Sequence, residues 1–383
     1  MIKRPFLKLY LLLSLCFFSV LGQAAPPTPK PPQIEAKSHI LIDFNSGQTL
    51  ASENPDMRVE PASITKLMTA YIVFKELEDG NFTLSDEVLI SEKAWRMGGS
   101  KMFVEVGNRV PVEDLIRGMI IQSGNDATVA LAEFIAGSEE TFASYMNQVA
   151  ASLGMKNSNF TNSTGWPGPE HYTTARDIAT LAQALIRDFP THYGYYSEQE
   201  FIYNGIKQHN RNALLRRDES VDGLKTGYTE SAGYCLVTSG EREGMRLVSV
   251  VIGTNSIGAR TRYSQALLNY GFRFFETHKL FTKGNAMDEI QVWKGATDSL
   301  AVGPGRDFYV TAPRGKKDDL KIQADLHGEV FAPVEAGATL GELSVALDGE
   351  VMKKTPVVAL QSVALGSWWQ RLLDEAKLFI VNW

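Results

Sequence analysis

The chain has 383 residues, more than a single ordinary domain needs and about enough for two. Hydrophobic residues make up 44% and charged residues 21%, the balance of a globular protein rather than a disordered one. The net charge of −6 argues against a non-specific nucleic-acid binder, the two cysteines (Cys16 and Cys235) exclude a disulfide framework, and the six histidines show no ligand-like spacing, so neither metal nor cofactor is expected.

Lys3, Arg4 and Lys8 precede an apolar run from Leu9 to Leu21, and Gly22-Gln23-Ala24-Ala25 supplies small residues for cleavage. This is the order of a secretory signal, read here as residues 1–24. An uncleaved anchor is the alternative, but the run is short for a span. Cys16 does not mark a lipoprotein, because Leu15 is bulky where that processing needs a small residue. Loss of the signal takes the net charge from −6 to −9 and leaves Cys235, expected to be a buried structural thiol in an oxidising compartment. Residues 25–36, with Pro26-Pro27-Thr28-Pro29-Lys30-Pro31-Pro32, read as an extended spacer.

Residues 37–284 read as one domain. Ile40, Leu41, Ile42 and Phe44 predict a strand, Asn45-Ser46-Gly47 a turn, and Gln48 to Ser52 a returning strand. A helix follows Pro61-Ala62-Ser63, and further helices are predicted over Leu115 to Ile121, Asp126 to Ala136, Ala175 to Ile186 and Arg260 to Phe275. Leu224 to Tyr228, Tyr234 to Thr238 and Arg246 to Gly253 predict strands, the last so apolar that it belongs at a sheet centre. Segregated strands and helices of this kind indicate α+β architecture. Over residues 285–362 short alternating segments, punctuated by glycines, predict a small all-β domain.

Residues 363–383 differ again. Trp369, Leu372, Leu373, Ala376, Phe379, Ile380 and Trp383 share one helical stripe, while Gln370, Arg371, Asp374, Glu375 and Lys377 take the other side. The segment is too short and too charged to span a bilayer. It suits a helix lying in a membrane surface, the alternative being a helix packed on the protein's own core.

Three motifs carry chemistry. Ser63-Ile64-Thr65-Lys66 places a hydroxyl and an amine one helical turn apart, and a neutral amine can take the proton of a nucleophilic serine. Ser123-Gly124-Asn125 sits between helices, with a hydroxyl to relay a proton and an amide to bind a carbonyl. Lys225-Thr226-Gly227 opens a strand pair with a cation, a hydroxyl and room for a close backbone approach. Each motif is weak alone and has an ordinary structural explanation. In this order, separated by 60 and 102 residues, they form the signature of penicillin-binding proteins and serine β-lactamases.

The mature chain further resembles the low-molecular-weight penicillin-binding proteins that are D-alanyl-D-alanine carboxypeptidases. The resemblance rests on Pro61-Ala62-Ser63-Ile64-Thr65-Lys66, Gln122-Ser123-Gly124-Asn125-Asp126-Ala127, Thr174-Ala175-Arg176-Asp177, Asn210-Arg211-Asn212, Val221-Asp222-Gly223-Leu224-Lys225-Thr226-Gly227 and Gly271-Phe272-Arg273-Phe274-Phe275. It implies a β-lactamase/DD-peptidase-like catalytic domain whose antiparallel sheet is flanked by helices. It also implies acylation of Ser63 by peptidoglycan pentapeptides ending in D-Ala-D-Ala and by β-lactam antibiotics. In that scheme Lys66 is the base, its pKa lowered by burial and by the nearby Lys225 charge. Ser123 relays a proton to the leaving amine, and Asn125 binds the substrate amide. Lys225, Thr226 and Arg211 hold the terminal carboxylate, with Arg260 in support. The N–H groups of Ser63 and Tyr228 form the oxyanion hole beside Gly227.

Two features depart from the family pattern: Tyr228 stands where histidine often follows K-T-G, and the loop after Thr164-Gly165 reads Trp-Pro-Gly-Pro-Glu-His. A β-lactamase, a D,D-endopeptidase or transpeptidase, and an inactive wall-binding scaffold are the alternatives. Glu170 is the one nearby glutamate for lactamase-type deacylation, and it lacks the leucine-asparagine pair that accompanies such a residue.

Overall fold

The computed structural model describes residues 28–381, so the signal segment, the first prolines of the spacer and Trp383 lie outside the described residues. The expected hairpin forms from β1 (Ser38–Asp43) and β2 (Thr49–Glu53). Three long strands, β3 (Val221–Thr229), β4 (Gly233–Arg242) and β5 (Met245–Thr254), complete an antiparallel sheet of order β2-β1-β5-β4-β3. β5 takes the central place its apolar run predicts. Its side chains alternate between two cores, as a strand buried on both faces requires. Val248, Val250 and Ile252 enter the larger core, and Leu247 and Val251 the smaller.

The larger core is closed by α1 (Lys66–Glu78), α2 (Asn125–Ala136), α3 (Glu139–Ser152) and α4 (Ala175–Asp188). The smaller is closed by α5 (Ile257–Phe274) through Leu267 and Leu268. Sequence patterning misses α3, whose start is marked by Ser138 accepting from the Thr141 N–H. The described part of the proline-rich segment does not stand away as a spacer. Ile34 is buried in the smaller core, and Tyr270 donates to the Pro29 carbonyl at 2.9 Å. Cys235 is fully buried in the larger core, and burial pushes its thiol up to about 11.

Strand pairing resumes at Phe275, ten residues before the texture change in the sequence. β6 (Phe275–Phe281) pairs with β9 (Phe308–Pro313). A six-stranded sheet combines β7 (Asp288–Trp293), β8 (Ser299–Pro304), β10 (Lys321–Leu326), β11 (Val330–Phe331), β12 (Thr339–Leu347) and β13 (Glu350–Ala359) in the order β10-β12-β13-β8-β7-β11. Val292, Leu300, Val302, Phe308, Val310, Leu343 and Val345 fill its core. This is the all-β unit that the alternating segments predict.

The last helix, α6 (Trp368–Val381), is fixed by its polar side. Asp374 is buried and accepts from the Lys294 N–H at 2.7 Å, and Glu375 pairs with the Lys294 ammonium at 2.6 Å. Trp368, Trp369, Leu372, Leu373 and Ile380 are exposed. Among the described residues no helix is long and apolar enough to cross a membrane.

Candidate active site

A cleft of about 830 Å³ opens between the helical layer and the free edge strand β3. Its wall includes Ser63, Ser123, Asn125, Arg211, Thr226, Gly227, Tyr228 and Arg260, so eight of the ten predicted site residues share one cavity. The other two, Lys66 and Lys225, are buried.

Ser63 lies in a short 3-10 turn, Ala62–Thr65, and Lys66 is the first residue of α1. Tightly wound turns bring positions i and i+3 nearly into register. Lys66 Nζ accordingly sits 3.1 Å from Ser63 Oγ. The amine also donates to Asn125 Oδ1 and to the Thr164 carbonyl, each at 2.7 Å. These last two atoms are acceptors only, so they occupy two N–H bonds. A neutral amine then has one lone pair left, on the side of the Ser63 hydroxyl. Burial above all, then the Arg211 charge, lowers the Lys66 pKa to about 7, against Asp126 and Glu139, which raise it. Arg211 thus joins the expected Lys225 as a cationic neighbour, the Lys66–Lys225 repulsion being felt at Lys225. Lys225 is itself held well below the usual lysine range, by burial first and then by the charges of Lys66, Arg211 and Arg260.

Asn125 is more committed than a free substrate ligand. Its Oδ1 accepts from Lys66 and its Nδ2 donates to the Gly98 carbonyl at 2.7 Å. Ser123 occupies the left-handed region at φ 65°, and its buried Oγ has no hydrogen-bond partner among the described residues. β3 approaches the Ser63 turn so closely that a Cβ on Gly227 would lie 3.2 Å from the Pro61 carbonyl. Arg260 is buried and donates to the carbonyls of Gly227 (3.0 Å) and Cys235 (3.3 Å), which ties α5 to the cleft strand. Arg211 makes no hydrogen bond among the described residues and is exposed at the cleft. Tyr228 is half exposed, its ring 4.3 Å from that of Tyr234.

Three supporting residues escape the motif reading. Asn162 Oδ1 accepts from the N–H groups of Thr164, Gly165 and Trp166 at 2.8–3.2 Å and from the Thr164 hydroxyl at 3.1 Å, folding the loop that aims the Thr164 carbonyl at Lys66. Glu139 accepts from the N–H and hydroxyl of Ser163 in that loop. Asp126 accepts from the N–H groups of Met102, Phe103 and Val104 and so fixes the opposite wall. A polar residue heading a Ser-Thr-Gly run is the only sequence signal for the first, Asp126 stands in the phrase Gln122–Ala127 without its role being readable there, and Glu139 carries no signal.

The comparisons agree with this geometry. A family model described as D-alanyl-D-alanine carboxypeptidase matches residues 25–256, and one described as penicillin-binding protein 5, C-terminal domain, matches residues 275–365. The chain is 43% identical over 363 residues to the D-alanyl-D-alanine carboxypeptidase DacA of Escherichia coli (strain K12), covering 93% of this chain and 90% of that protein. It is 40% identical to the DacA protein of Haemophilus influenzae, covering 99% and 97%. The crystal structure of penicillin-binding protein 5 from Haemophilus influenzae superposes with a TM-score of 0.85 at 42% identity, covering 88% of this chain and 99% of that one. An S-x-x-K serine under a buried amine, in a chain matched along nearly its whole length, leads to one assignment: the protein belongs to the D-alanyl-D-alanine carboxypeptidase family of serine peptidases.

Proposed function

We propose that the protein removes the terminal D-alanine from peptidoglycan pentapeptide stems through an acyl-enzyme on Ser63, and that β-lactams acylate the same hydroxyl. The observation that carries this reading is the Lys66 amine, buried and doubly anchored, with its remaining valence toward Ser63 Oγ. Ser63 Oγ attacks the carbonyl of the D-Ala-D-Ala bond while Lys66 accepts its proton. The N–H of Ser63, in the first turn, has no intrahelical acceptor, and with the Tyr228 N–H it receives the developing oxyanion. Ser123, whose hydroxyl is otherwise unused, passes the proton to the departing amine. Lys225, Thr226 and Arg211 receive the terminal carboxylate. Release of D-alanine leaves an ester that water hydrolyses.

A lactamase reading is weaker in this geometry. Glu170 lines a neighbouring groove and not the cleft that holds Ser63. In the same proposal residues 1–24 export the chain, residues 37–284 form the catalytic unit and 285–362 the β-rich unit. Residues 363–383 then hold the enzyme on the periplasmic face of the inner membrane. Incubation with a pentapeptide ending in D-Ala-D-Ala tests the activity: one released D-alanine per peptide supports it, and Ser63→Ala abolishes release.

A further inference from the structure

Beside the catalytic cleft lies a second groove of about 730 Å³, bounded by Lys37, Arg58, Glu60, Glu170, Tyr172 and Ser231. The two cavities share Pro167. They meet at the far end of β3, where Thr229 and Glu230 line the cleft and Ser231 and Ala232 line the groove. A peptide whose carboxylate rests at Lys225 and Thr226 therefore leaves the cleft over Thr229 and Glu230. Extended chain advances about 3.3 Å per residue, so the residue upstream of D-Ala-D-Ala arrives at the mouth of this groove.

The groove holds four charged side chains, and two are occupied. Lys37 donates to the Ser231 carbonyl, and Glu60 accepts from the Ser231 hydroxyl. The other two are not. Arg58 stacks on the Tyr172 ring, 4.4 Å from its centroid, which steadies the guanidinium while leaving its N–H donors unused by hydrogen bonds among the described residues. Glu170 has no side-chain partner among the described residues, and Asn159 holds its backbone carbonyl in place. An oriented guanidinium and a free carboxylate on one groove match a ligand end that carries both a carboxylate and an ammonium.

We propose that this groove binds the stem residue immediately upstream of D-Ala-D-Ala when that residue is a diamino dicarboxylic acid, Arg58 taking its side-chain carboxylate and Glu170 its side-chain ammonium. The proposal rests on the carboxypeptidase reading and adds the specificity of that site.

The test uses two pentapeptides identical except at the third position, diaminopimelate in one and lysine in the other. D-alanine release is followed on full-length protein, with active sites counted by labelled penicillin so that misfolded material drops out. The expected result is a kcat/KM for the diaminopimelate peptide about five- to tenfold above that for the lysine peptide, one charged contact's worth, collapsing toward equality in Arg58→Ala. Arg58→Lys, which keeps the charge and loses the fork, restores part of the ratio. Equal rates from both peptides with the unaltered protein, or a ratio that survives Arg58→Ala, overturn the groove proposal alone. No D-alanine from either peptide, with the serine still titrated by penicillin, overturns the carboxypeptidase reading and this proposal together.

Discussion

The carbonyl oxygen of Thr164 lies 2.7 Å from the Lys66 amine, although 98 residues separate the two in the chain. That contact exists because Asn162 gathers the intervening loop onto one oxygen. Asn162→Ala removes the common acceptor of four donors. It is expected to cost about 1–3 kcal/mol of stability. By displacing an acceptor from the base, it is also expected to slow Ser63 acylation about tenfold or more. Thermal unfolding and stopped-flow acylation by labelled penicillin read the two effects separately.

Gly165, next in that loop, has φ +86°, and a Cβ there would come within 1.8 Å of the Ala62 carbonyl. Neither the backbone angle nor the space admits a side chain. Gly165→Ala is expected to push on the turn that carries Ser63 and to destabilise by about 2 kcal/mol or more. An unchanged melting temperature with unchanged penicillin labelling contradicts the close approach.

Arg211 lowers the Lys66 pKa and lines the cleft, where it is the proposed partner of the substrate carboxylate. Arg211→Gln removes a positive charge, so the protonated amine becomes less unfavourable and the Lys66 pKa rises. The acid limb of the pH–acylation profile is expected to move to higher pH. For the pentapeptide, loss of the carboxylate partner adds about a tenfold fall in kcat/KM. A lower kcat/KM with an unmoved acid limb would confine Arg211 to carboxylate binding.

The terminal helix turns Leu372 and Leu373 outward and holds on to the β-rich unit through Asp374. A leucine buried in an apolar medium contributes about 2 kcal/mol, so replacing both by glutamate is expected to weaken vesicle binding at least about a hundredfold. Deleting residues 366–383 is expected to release the protein from membranes. Asp374→Ala is expected to loosen the helix from Lys294 while leaving vesicle sedimentation intact. Membrane retention after the deletion refutes the anchor.

Much of the scaffold was legible because it obeys simple periodicities. The run Leu247, Val248, Val250, Val251, Ile252 demanded burial on both faces, and β5 supplies it by facing two cores. The helix Ala175–Asp188 has one sharply apolar side and was found to within two residues. The helix Glu139–Ser152 was missed because Phe142, Met146 and Val149 leave only a thin apolar stripe among polar residues. The motif residues were legible because Ser63, Lys66, Ser123 and Lys225 belong to fixed local phrases. The roles of their supports were not: Asn162, Glu139 and Asp126 act by accepting backbone N–H groups, a role that polar side chains in loops and at helix starts commonly fill and that no local phrase marks. The source of the Lys66 shift was partly legible, since burial and the coupling to Lys225 were foreseen and the Arg211 charge was not.

The central claim is that an uncharged Lys66 takes the Ser63 proton, and the acylation rate constant measured with labelled benzylpenicillin from about pH 5 to pH 9 tests it most directly. Because the amine must be deprotonated, the rate is predicted to rise with pH, to be half-maximal at about 7, and to level off above. A rate that does not vary with pH, or one still climbing toward the ordinary lysine value of about 10.4, would contradict the account.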